Sequence, residues 1–480
     1  MSKKNIILII FDTLRADFVS SYNQNSIVQT PTIDKIAKNG VKLGNAYSTA
    51  PETASAHASI FTGLYPHNHG IACDTPQPPL ETNIPTIASW LSDRGYTTFG
   101  IAGPSKMDSD YNYDQGFDDY YEHYKTGNEK LTSIGGIKRL LTDKSYRERK
   151  SNDILAGSDN GARKKFDLLK KVVQNSQDPY FIMANFIECH SSYSAPRAYT
   201  EETDSDFNRP KYAFLERFNL GSRSHSDPDI QLEKLTNYRE TINRQYSDSD
   251  YLSEKELETW EKWYAAELRY LDDQLGAFID HLKRTNELDD TLLIFTSDHG
   301  ELFGEHDLVY HNNFLWDKLL NVPLIIYADN LPSDTQNKMF SIVDLFPTVC
   351  DLVDIDKPEN INGKSLFSET DREFGFAEIG ERDISVINRD WYLNPEQKEK
   401  FDRGKKAVWD QQLKYIKYSD GTENAYTIPN EKEASGKESH ISQLREELRE
   451  TLGENHPTPP ENEHQVSEST LKNLEELGYR

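Results

Sequence analysis

Two short segments of this chain have the residue types of a metal centre, and each directly follows an apolar run. Asp12 comes after Asn5–Phe11, and the pair Asp298 and His299 comes soon after Thr291–Thr296. Because the chain turns where a strand ends, neighbouring Asp and His side chains can reach one divalent ion, for which oxygen and imidazole ligands are suited. Asp12 taken alone is better explained as a helix cap. The Asp-His pair favours a metal site.

Hydroxyl groups are concentrated around the start of a predicted helix in residues 50–70. Thr53, Ser55 and Ser59 precede or open that helix. The free N–H groups of a first helical turn bind anions, so a hydroxyl nucleophile there would stand beside an anionic substrate. Taken alone, the pattern is also that of an ordinary capped helix.

Two histidines lie in similar positions further along the chain. His190 comes just past the apolar run Tyr180–Phe186, and His311 precedes Val322 and Pro323 in a mixed polar and aromatic segment. A single histidine at such a place is more often a structural or surface residue than a catalyst. Whether either histidine has a functional role therefore depends on the residues around it.

The composition is that of a globular, acidic protein. Its 480 residues include 54 Lys+Arg and 80 Asp+Glu, a formal net charge of −26 at pH 7. Since affinity for nucleic acid depends on neutralising phosphates with Lys and Arg, no nucleic-acid partner is expected. Only three cysteines are present, which argues against a disulfide framework. The oligomeric state stays open.

The longest apolar runs are short. Residues 5–11 form an apolar run that meets Asp12, too short for the core of a secretory signal peptide. No run approaches the ~18 residues of a membrane span. We therefore expect no membrane span and a cytoplasmic location.

Alternation of β-branched runs with helical patterns predicts an α/β fold: a doubly wound, mostly parallel sheet with helices on both faces. In such sheets ligands bind outside the carboxyl ends of the strands, where Asp12, His190 and Asp298 stand. The clearest predicted strands are Asn5–Phe11, Thr98–Ala102, Tyr180–Phe186, Thr291–Thr296 and Pro323–Tyr327, and the clearest predicted helices are Ile84–Gly95 and Glu256–Leu282.

The chain divides into two predicted domains. Residues 1–350 form a catalytic α/β domain with insertions at about 108–149 and 197–253. Residues 351–480 have fewer long apolar runs and form a smaller C-terminal α+β domain with an acidic tail. Its candidate strands are Asp383–Asn388 and Leu413–Tyr418.

The order and contexts of these elements resemble the sulfatase family of the alkaline phosphatase superfamily. The resemblance covers about residues 5–350 and implies an alkaline phosphatase-like fold. The motifs that carry it, besides the strands above, are Thr30-Pro-Thr-Ile-Asp34, Thr62-Gly63, Arg94-Gly-Tyr96, Gly116-Phe117-Asp118, Asp298-His299-Gly300, Val322-Pro323-Leu324 and Asp344-Leu-Phe-Pro347-Thr348.

The resemblance implies a metal centre with a hydroxyl nucleophile. It assigns one divalent metal ion to Asp12, Thr53, Asp298 and His299, with the Thr53 hydroxyl also at the nucleophile position. Oxygen-rich ligands suit Ca²⁺, Mg²⁺ or Mn²⁺, and the imidazole also admits Zn²⁺.

Three further residues receive roles from the same resemblance. His190 corresponds to the histidine that contacts the ester oxygen and assists the leaving group. His311 falls where relatives usually carry a substrate-binding Lys, and Arg15 falls where some phosphodiesterase-like relatives have Arg.

Three departures from the family pattern bear on the chemistry. Formylglycine-forming sulfatases need Cys or Ser at the nucleophile position, which here is Thr53, and an Arg four residues later, which here is His57. No formylglycine is therefore expected, and His57 becomes a candidate catalytic residue. Thr13 replaces the family's second Asp, and His311 replaces the substrate Lys.

The resemblance implies a metal-dependent hydrolase of sulfate or phosphate esters that acts through Thr53 and a covalent intermediate. The substrate would be a small anionic ester or a sulfated or phosphorylated glycan. Phosphate esters, phosphodiesters among them, suit the chain better than sulfate esters. A Thr ester must be cleaved by attack at its central atom, whereas a formylglycine hydrate expels sulfate by elimination. Two alternatives stay open: a phosphoryl-group transferase acting on glycan or lipid, and a degenerate binder of anionic glycans.

Overall fold

The computed structural model describes most of the chain. It covers residues 4–73, 77–122, 161–176, 179–204, 251–311, 313–328, 337–381, 401–458 and 464–471, with isolated residues between 207 and 250 and at 331 and 399. Most of the predicted insertion 108–149 and the candidate strand Asp383–Asn388 lie outside these residues, and the predicted insertion 197–253 is described only in part.

A seven-stranded sheet forms the centre of the larger domain. Its strands are β1 (Asn5–Phe11), β2 (Val41–Leu43), β4 (Thr97–Ala102), β5 (Asp119–Glu122), β6 (Tyr180–Phe186), β9 (Thr291–Thr296) and β12 (Leu324–Tyr327). The strand order is β2-β12-β9-β1-β6-β4-β5. The pairs among β9, β1, β6, β4 and β5 are parallel, whereas at one edge β12 pairs antiparallel with β9 and β2 pairs antiparallel with β12.

Smaller β pairings surround this sheet. They are formed by β3 (Asn45–Tyr47) with β13 (Met339–Ser341), β7 (Phe207–Asn208) with β8 (Ser224–His225), and β10 (Leu302–Phe303) with β11 (Val309–Tyr310).

The central strand shows why the sheet is covered on both faces. All seven residues of β1 are buried, and successive side chains of a strand point to opposite faces. Ile7 and Ile9 enter one hydrophobic core, whereas Ile6, Leu8 and Ile10 enter a second core on the other face. The predicted doubly wound sheet with helices on both faces is therefore confirmed.

Ten α-helices are described. They are α1 (Pro31–Asn39), α2 (Thr53–Thr62), α3 (Pro66–His69), α4 (Ile87–Ser92), α5 (Ala162–Asn175), α6 (Arg197–Thr203), α7 (Glu254–Arg284), α8 (Asp317–Leu320), α9 (Leu345–Leu352) and α10 (Glu438–Leu452). None of these helices is both long and apolar enough to cross a membrane.

The longest helix, α7, begins two residues before the predicted start. Its first turn is a capping box in which the Ser253 hydroxyl accepts from the Glu256 N–H and the Glu256 carboxylate accepts from the Ser253 N–H. These reciprocal bonds satisfy donors that a helix start otherwise leaves without partners. The apolar stripe in the sequence indicates only where the contacts of α7 with the core begin, and these begin after the capped first turn.

The smaller domain is built on a five-stranded antiparallel sheet with one helix, α10, whose apolar side chains share a core with it. This confirms the predicted C-terminal α+β unit, including the candidate strand Leu413–Tyr418. The strands are β14 (Gly375–Ile379), β15 (Lys405–Trp409), β16 (Leu413–Tyr418), β17 (Glu423–Thr427) and β18 (Lys432–Glu433).

The C-terminal sheet contacts the segment that leads into α2. The Glu378 N–H donates to the Thr49 carbonyl at 2.9 Å, and the Glu378 carboxylate accepts from the His67 N–H at 2.7 Å. The smaller domain thus fixes the backbone on both sides of the α2 helix.

Gly300 lies where two backbone segments are in close contact. Its N–H donates to the Leu319 carbonyl, and a Cβ atom there would lie 2.0 Å from the Lys318 carbonyl oxygen. We expect Gly300→Ala to lower the free energy of unfolding by about 3 kcal/mol, since the two segments must separate. Urea unfolding measures this loss.

Gly421→Ala is the control, because no atom lies within 4 Å of its added Cβ and only its positive φ of +85° opposes the substitution. That strain costs about 1–2 kcal/mol. Equal losses in the two variants would contradict the steric explanation at Gly300.

Candidate active site

Three predicted metal ligands meet at the carboxyl ends of β1 and β9. The candidate ligand atoms of Asp12, Asp298 and His299 all lie within 4.8 Å of one another, and the three side chains are fully buried. Because β1 and β9 are parallel neighbours, residues that follow their last positions emerge at the same edge of the sheet. We call these residues the acidic cluster.

Backbone groups orient the acidic cluster. The Thr13 and His299 N–H groups donate to Asp298 Oδ1 at 3.0 and 2.9 Å. Burial opposes ionisation of Asp298, but the neighbouring His299 and His57 and these N–H groups outweigh it and lower its pKa. His299 Nδ1 donates to the Gly300 carbonyl at 3.0 Å, which leaves its Nε2 as the nitrogen available to a metal ion.

The acidic cluster fits a divalent cation. Asp298 Oδ2 is buried and accepts no hydrogen bond from the described residues, and it lies 3.5 Å from His299 Nε2. A buried carboxylate oxygen that accepts no hydrogen bond lowers the stability of the folded protein. Two carboxylates and one imidazole are a common donor set for divalent ions, and such an ion would supply the missing interaction.

Thr53 joins this group from the start of helix α2. It is the first residue of α2 and is fully buried, and its Oγ1 lies 3.4 Å from His299 Nε2. The hydroxyl is thus placed at the acidic cluster and at the positive end of a ten-residue helix.

His57 faces the backbone of Thr53 and the acidic cluster. Its Nδ1 donates to the Thr53 carbonyl at 2.8 Å and lies 3.4 Å from Asp298 Oδ2. The Asn185 side-chain amide donates to His57 Nε2 at 3.0 Å and to Asp12 Oδ2 at 3.3 Å. Burial lowers the pKa of His57, in agreement with a neutral ring that donates through Nδ1.

Asn185 is a site residue that the sequence reasoning did not identify. It lies in β6, between Ala184 and Phe186, and is fully buried. A lone amide near the end of an otherwise apolar strand is the signal that could have identified it, since a buried amide requires hydrogen-bond partners.

Three imidazole rings form one side of the site. The His311 ring lies 4.6 Å from the His299 ring and 4.9 Å from the His190 ring, measured between centroids. Burial and then the neighbouring His311 lower the pKa of His190 to about 4. His190 Nδ1 donates to the Ser191 carbonyl at 2.5 Å, so its Nε2 is the nitrogen that can face a substrate.

Glu301, which the sequence reasoning also missed, lies behind the ring of His311. Its Oε1 is 3.1 Å from His311 Nδ1, and its Oε2 accepts from the Tyr193 hydroxyl at 3.3 Å. Burial raises the pKa of Glu301 to about 7. Its position soon after the Asp-His pair was visible in the sequence, but its contact with His311 depends on the turn between β10 and β11.

The guanidinium of Arg15 is engaged by protein carboxylates. It donates to Asp17 at 2.8 and 2.9 Å, to Glu305 at 2.7 Å and to the Glu301 carbonyl at 3.1 Å. Only 4% of its surface is exposed. The structure therefore places two acidic partners around the charge of Arg15. The predicted contact of Arg15 with substrate stays a prediction.

Thr13 and Lys106 are two further polar residues that follow strands of the sheet. Thr13 has a φ of +59°, and its hydroxyl donates to the Cys189 carbonyl at 2.6 Å, so the neutral replacement of the family's second Asp is used in a backbone contact. Lys106 follows β4 and is only 2% exposed. A lysine buried at the carboxyl edge of the sheet is a further candidate for binding an anion.

Comparisons with known proteins agree with the resemblance. A family model for sulfatases matches residues 4–355. The chain is 25% identical over 384 residues to the uncharacterized sulfatase YidJ of Escherichia coli (strain K12), covering 77% of this chain and 71% of that protein. It is 25% identical over 379 residues to the choline-sulfatase of Rhizobium meliloti (strain 1021), covering 74% and 69%.

Solved structures share the fold. BT4656, in complex with its substrate D-glucosamine-2-N,6-O-disulfate, superposes with a TM-score of 0.68 at 18% identity, covering 95% of this chain and 99% of that one. The phosphonate monoester hydrolase of Agrobacterium radiobacter has a TM-score of 0.65 at 20% identity, covering 94% and 95%. These likenesses confirm the alkaline phosphatase-like fold.

The named relatives are sulfatases, and the structural neighbours include phosphonate monoester hydrolases. The protein is thus an ester hydrolase of the sulfatase type. Because the family model covers most of the chain, this protein belongs to the sulfatase family, as its motifs predict.

Proposed function

We propose that this protein is a metal-dependent hydrolase in which Thr53 attacks a phosphodiester or phosphonate monoester. The observation that carries the proposal is the distance of 3.4 Å between Thr53 Oγ1 and His299 Nε2, inside a buried group with Asp12 and Asp298. A bound divalent cation would lower the pKa of a nearby hydroxyl and neutralise charge on the ester oxygens.

The charge of the described site favours a monoanionic substrate. Asp12 and Asp298 contribute two negative charges, which one divalent cation balances. Burial lowers the pKa of the neighbouring rings of His57, His190 and His311, which disfavours a positive charge on them. Beside the acidic cluster and these three rings, a buried dianion costs more than a monoanion, so diesters and phosphonate monoesters are favoured over phosphate monoesters.

The residues present can carry two displacements at phosphorus. Thr53 Oγ1 forms a bond to phosphorus while the bond to the leaving alcohol breaks. The proton of the Thr53 hydroxyl passes to the neutral Nε2 of His190 or His311, and the protonated ring then gives that proton to the departing oxygen. Water then attacks the phosphorus of the Thr53 ester and releases Thr53. The phosphonate monoester hydrolase among the structural neighbours supports this substrate class.

Mass spectrometry tests the proposal. After brief incubation with bis(4-nitrophenyl) phosphate and Mn²⁺ followed by acid quench, we expect the peptide containing Thr53 to gain one nitrophenyl-phosphoryl group. Thr53→Ala should gain none. An adduct on another residue, or turnover with no adduct even in a slowed His190→Gln variant, would contradict a Thr53 nucleophile.

The same experiment separates hydrolysis from the alternative of transfer. If the protein were a transferase, glycerol added during turnover would receive the nitrophenyl-phosphoryl group. The amount of this glycerol ester would then exceed the amount of free 4-nitrophenyl phosphate. We expect release to water to dominate. The cytoplasmic location remains a prediction.

A further inference from the structure

The ring of His311 has one nitrogen fixed by the protein. Its Nδ1 lies 3.1 Å from Glu301 Oε1, and both side chains are only 1% exposed. The other nitrogen, Nε2, lies on the opposite side of the ring from Glu301. The hydrogen bond made by one ring nitrogen decides what the second nitrogen can do.

Glu301 is itself held firmly. The Tyr193 hydroxyl donates to its Oε2 at 3.3 Å, and Arg15 donates to its backbone carbonyl at 3.1 Å. Arg15 in turn is held by Asp17 and Glu305 at 2.7–2.9 Å. The acceptor for His311 Nδ1 is therefore fixed through both its side chain and its backbone.

His311 also lies beside two other imidazoles of the site. Its ring centroid lies 4.6 Å from that of His299, in the acidic cluster, and 4.9 Å from that of His190. A His311 ring rotated by half a turn about its Cβ–Cγ bond would put Cδ2 in the place of Nδ1 and Cε1 in the place of Nε2, and so present a carbon to a substrate lying beside Thr53. The orientation of this one ring therefore matters to the whole site.

From these contacts we infer that Glu301 is a positioning residue that turns His311 so that Nε2 faces the ester oxygen that departs. The inference rests on the proposed function. It also gives the arrangement a physical reason: a histidine at this position, unlike a lysine, has two distinct nitrogens and needs a partner that selects one of them.

A double-mutant cycle tests the inference with bis(4-nitrophenyl) phosphate. We expect Glu301→Leu to lower kcat/KM by about 10–100-fold, the range for partners that orient a functional histidine. Glu301→Gln keeps an acceptor oxygen and should recover most of this loss. In a His311→Gln background, Glu301→Leu should cost no further activity, because its effect acts through the His311 ring.

Glu256→Leu is the matched control, since Glu256 is also buried but contacts Ser253, Gln231 and Lys234 in and around the α7 capping box. It should alter stability without lowering kcat/KM in the manner of Glu301→Leu. An undiminished loss from Glu301→Leu in the His311→Gln background would overturn the inference and indicate a purely structural role.

Long-range ¹H–¹⁵N spectra of histidine-labelled protein give a readout that does not require activity. We expect the His311 signals, assigned by comparison with His311→Gln, to show a protonated Nδ1 in the wild type and to change in Glu301→Leu. Unchanged signals would overturn the inference. If the wild type cleaved no ester, the proposed function would fail, and these spectra alone would decide the role of Glu301.

Discussion

Replacing Thr53 by alanine is expected to lower kcat/KM toward the best ester by roughly 10⁴–10⁶-fold, the loss typical when a nucleophile is removed. The Thr53 hydroxyl is fully buried beside His299, and the variant leaves no hydroxyl in that place. The small side chain of alanine is well tolerated in a helix, so the fold should persist. Steady-state kinetics on a panel of diesters, phosphonate monoesters and sulfate esters measures the effect.

Two further variants show whether the loss comes from the hydroxyl. Thr53→Ser keeps an oxygen at the same position and should retain measurable turnover. Thr62→Ala makes the same change at the other end of α2, where the Thr62 hydroxyl donates to the Ala58 carbonyl at 2.7 Å, and should lower stability only. A Thr53→Ala enzyme with near wild-type rates would show that another group attacks the ester.

The sheet was predictable because its strands are buried on both faces. A strand such as Asn5–Phe11 is then a continuous apolar run, and the polar residue that ends it marks the ligand-binding edge of the sheet. The structure places Asp12 and Asp298 at this edge. Strand limits agree within one residue for the five strands predicted in the larger domain, since the change from apolar to polar side chains is abrupt.

The partners of the site residues were not predictable in the same way. Asn185 and Glu301 act through contacts with His57 and His311, which lie 128 and 10 positions away. The ion pairs around Arg15 join it to Glu305, 290 positions distant. Such pairings depend on how loops pack after the sheet has formed, and a single sequence contains no periodic signal for them.

His57 shows the limit most clearly. Its sequence position indicates a replacement for the family's Arg, which suggests a direct part in catalysis. The structure shows its two nitrogens bonded to the Thr53 carbonyl and to the Asn185 amide. Because of these contacts, His57 orients the start of α2 relative to Asp12. A chemical role for His57 remains a prediction.

The second large effect concerns the metal ion and can be measured without turnover. A divalent cation that binds only the folded protein stabilises it by about 2.7 kcal/mol at a concentration 100-fold above its Kd. We expect Mn²⁺ or Ca²⁺ to raise the free energy of unfolding of the chelator-treated wild type by this amount. Asp298→Asn should abolish the increase, because it removes one of only two carboxylates in the acidic cluster.

Asp272→Asn supplies the matched control for this metal experiment. Asp272 is equally buried, but its carboxylate accepts from the Thr32 and Ile33 N–H groups at 3.0 and 2.9 Å. That variant should be less stable than the wild type yet respond fully to the cation. Without a cation, the wild type must keep Asp12 and Asp298 close together in a buried site, where two like charges repel. Chelation should therefore destabilise the wild type but leave the stability of Asp298→Asn unchanged. An equal response of the wild type and Asp298→Asn to the cation and to the chelator would show that the ion binds elsewhere.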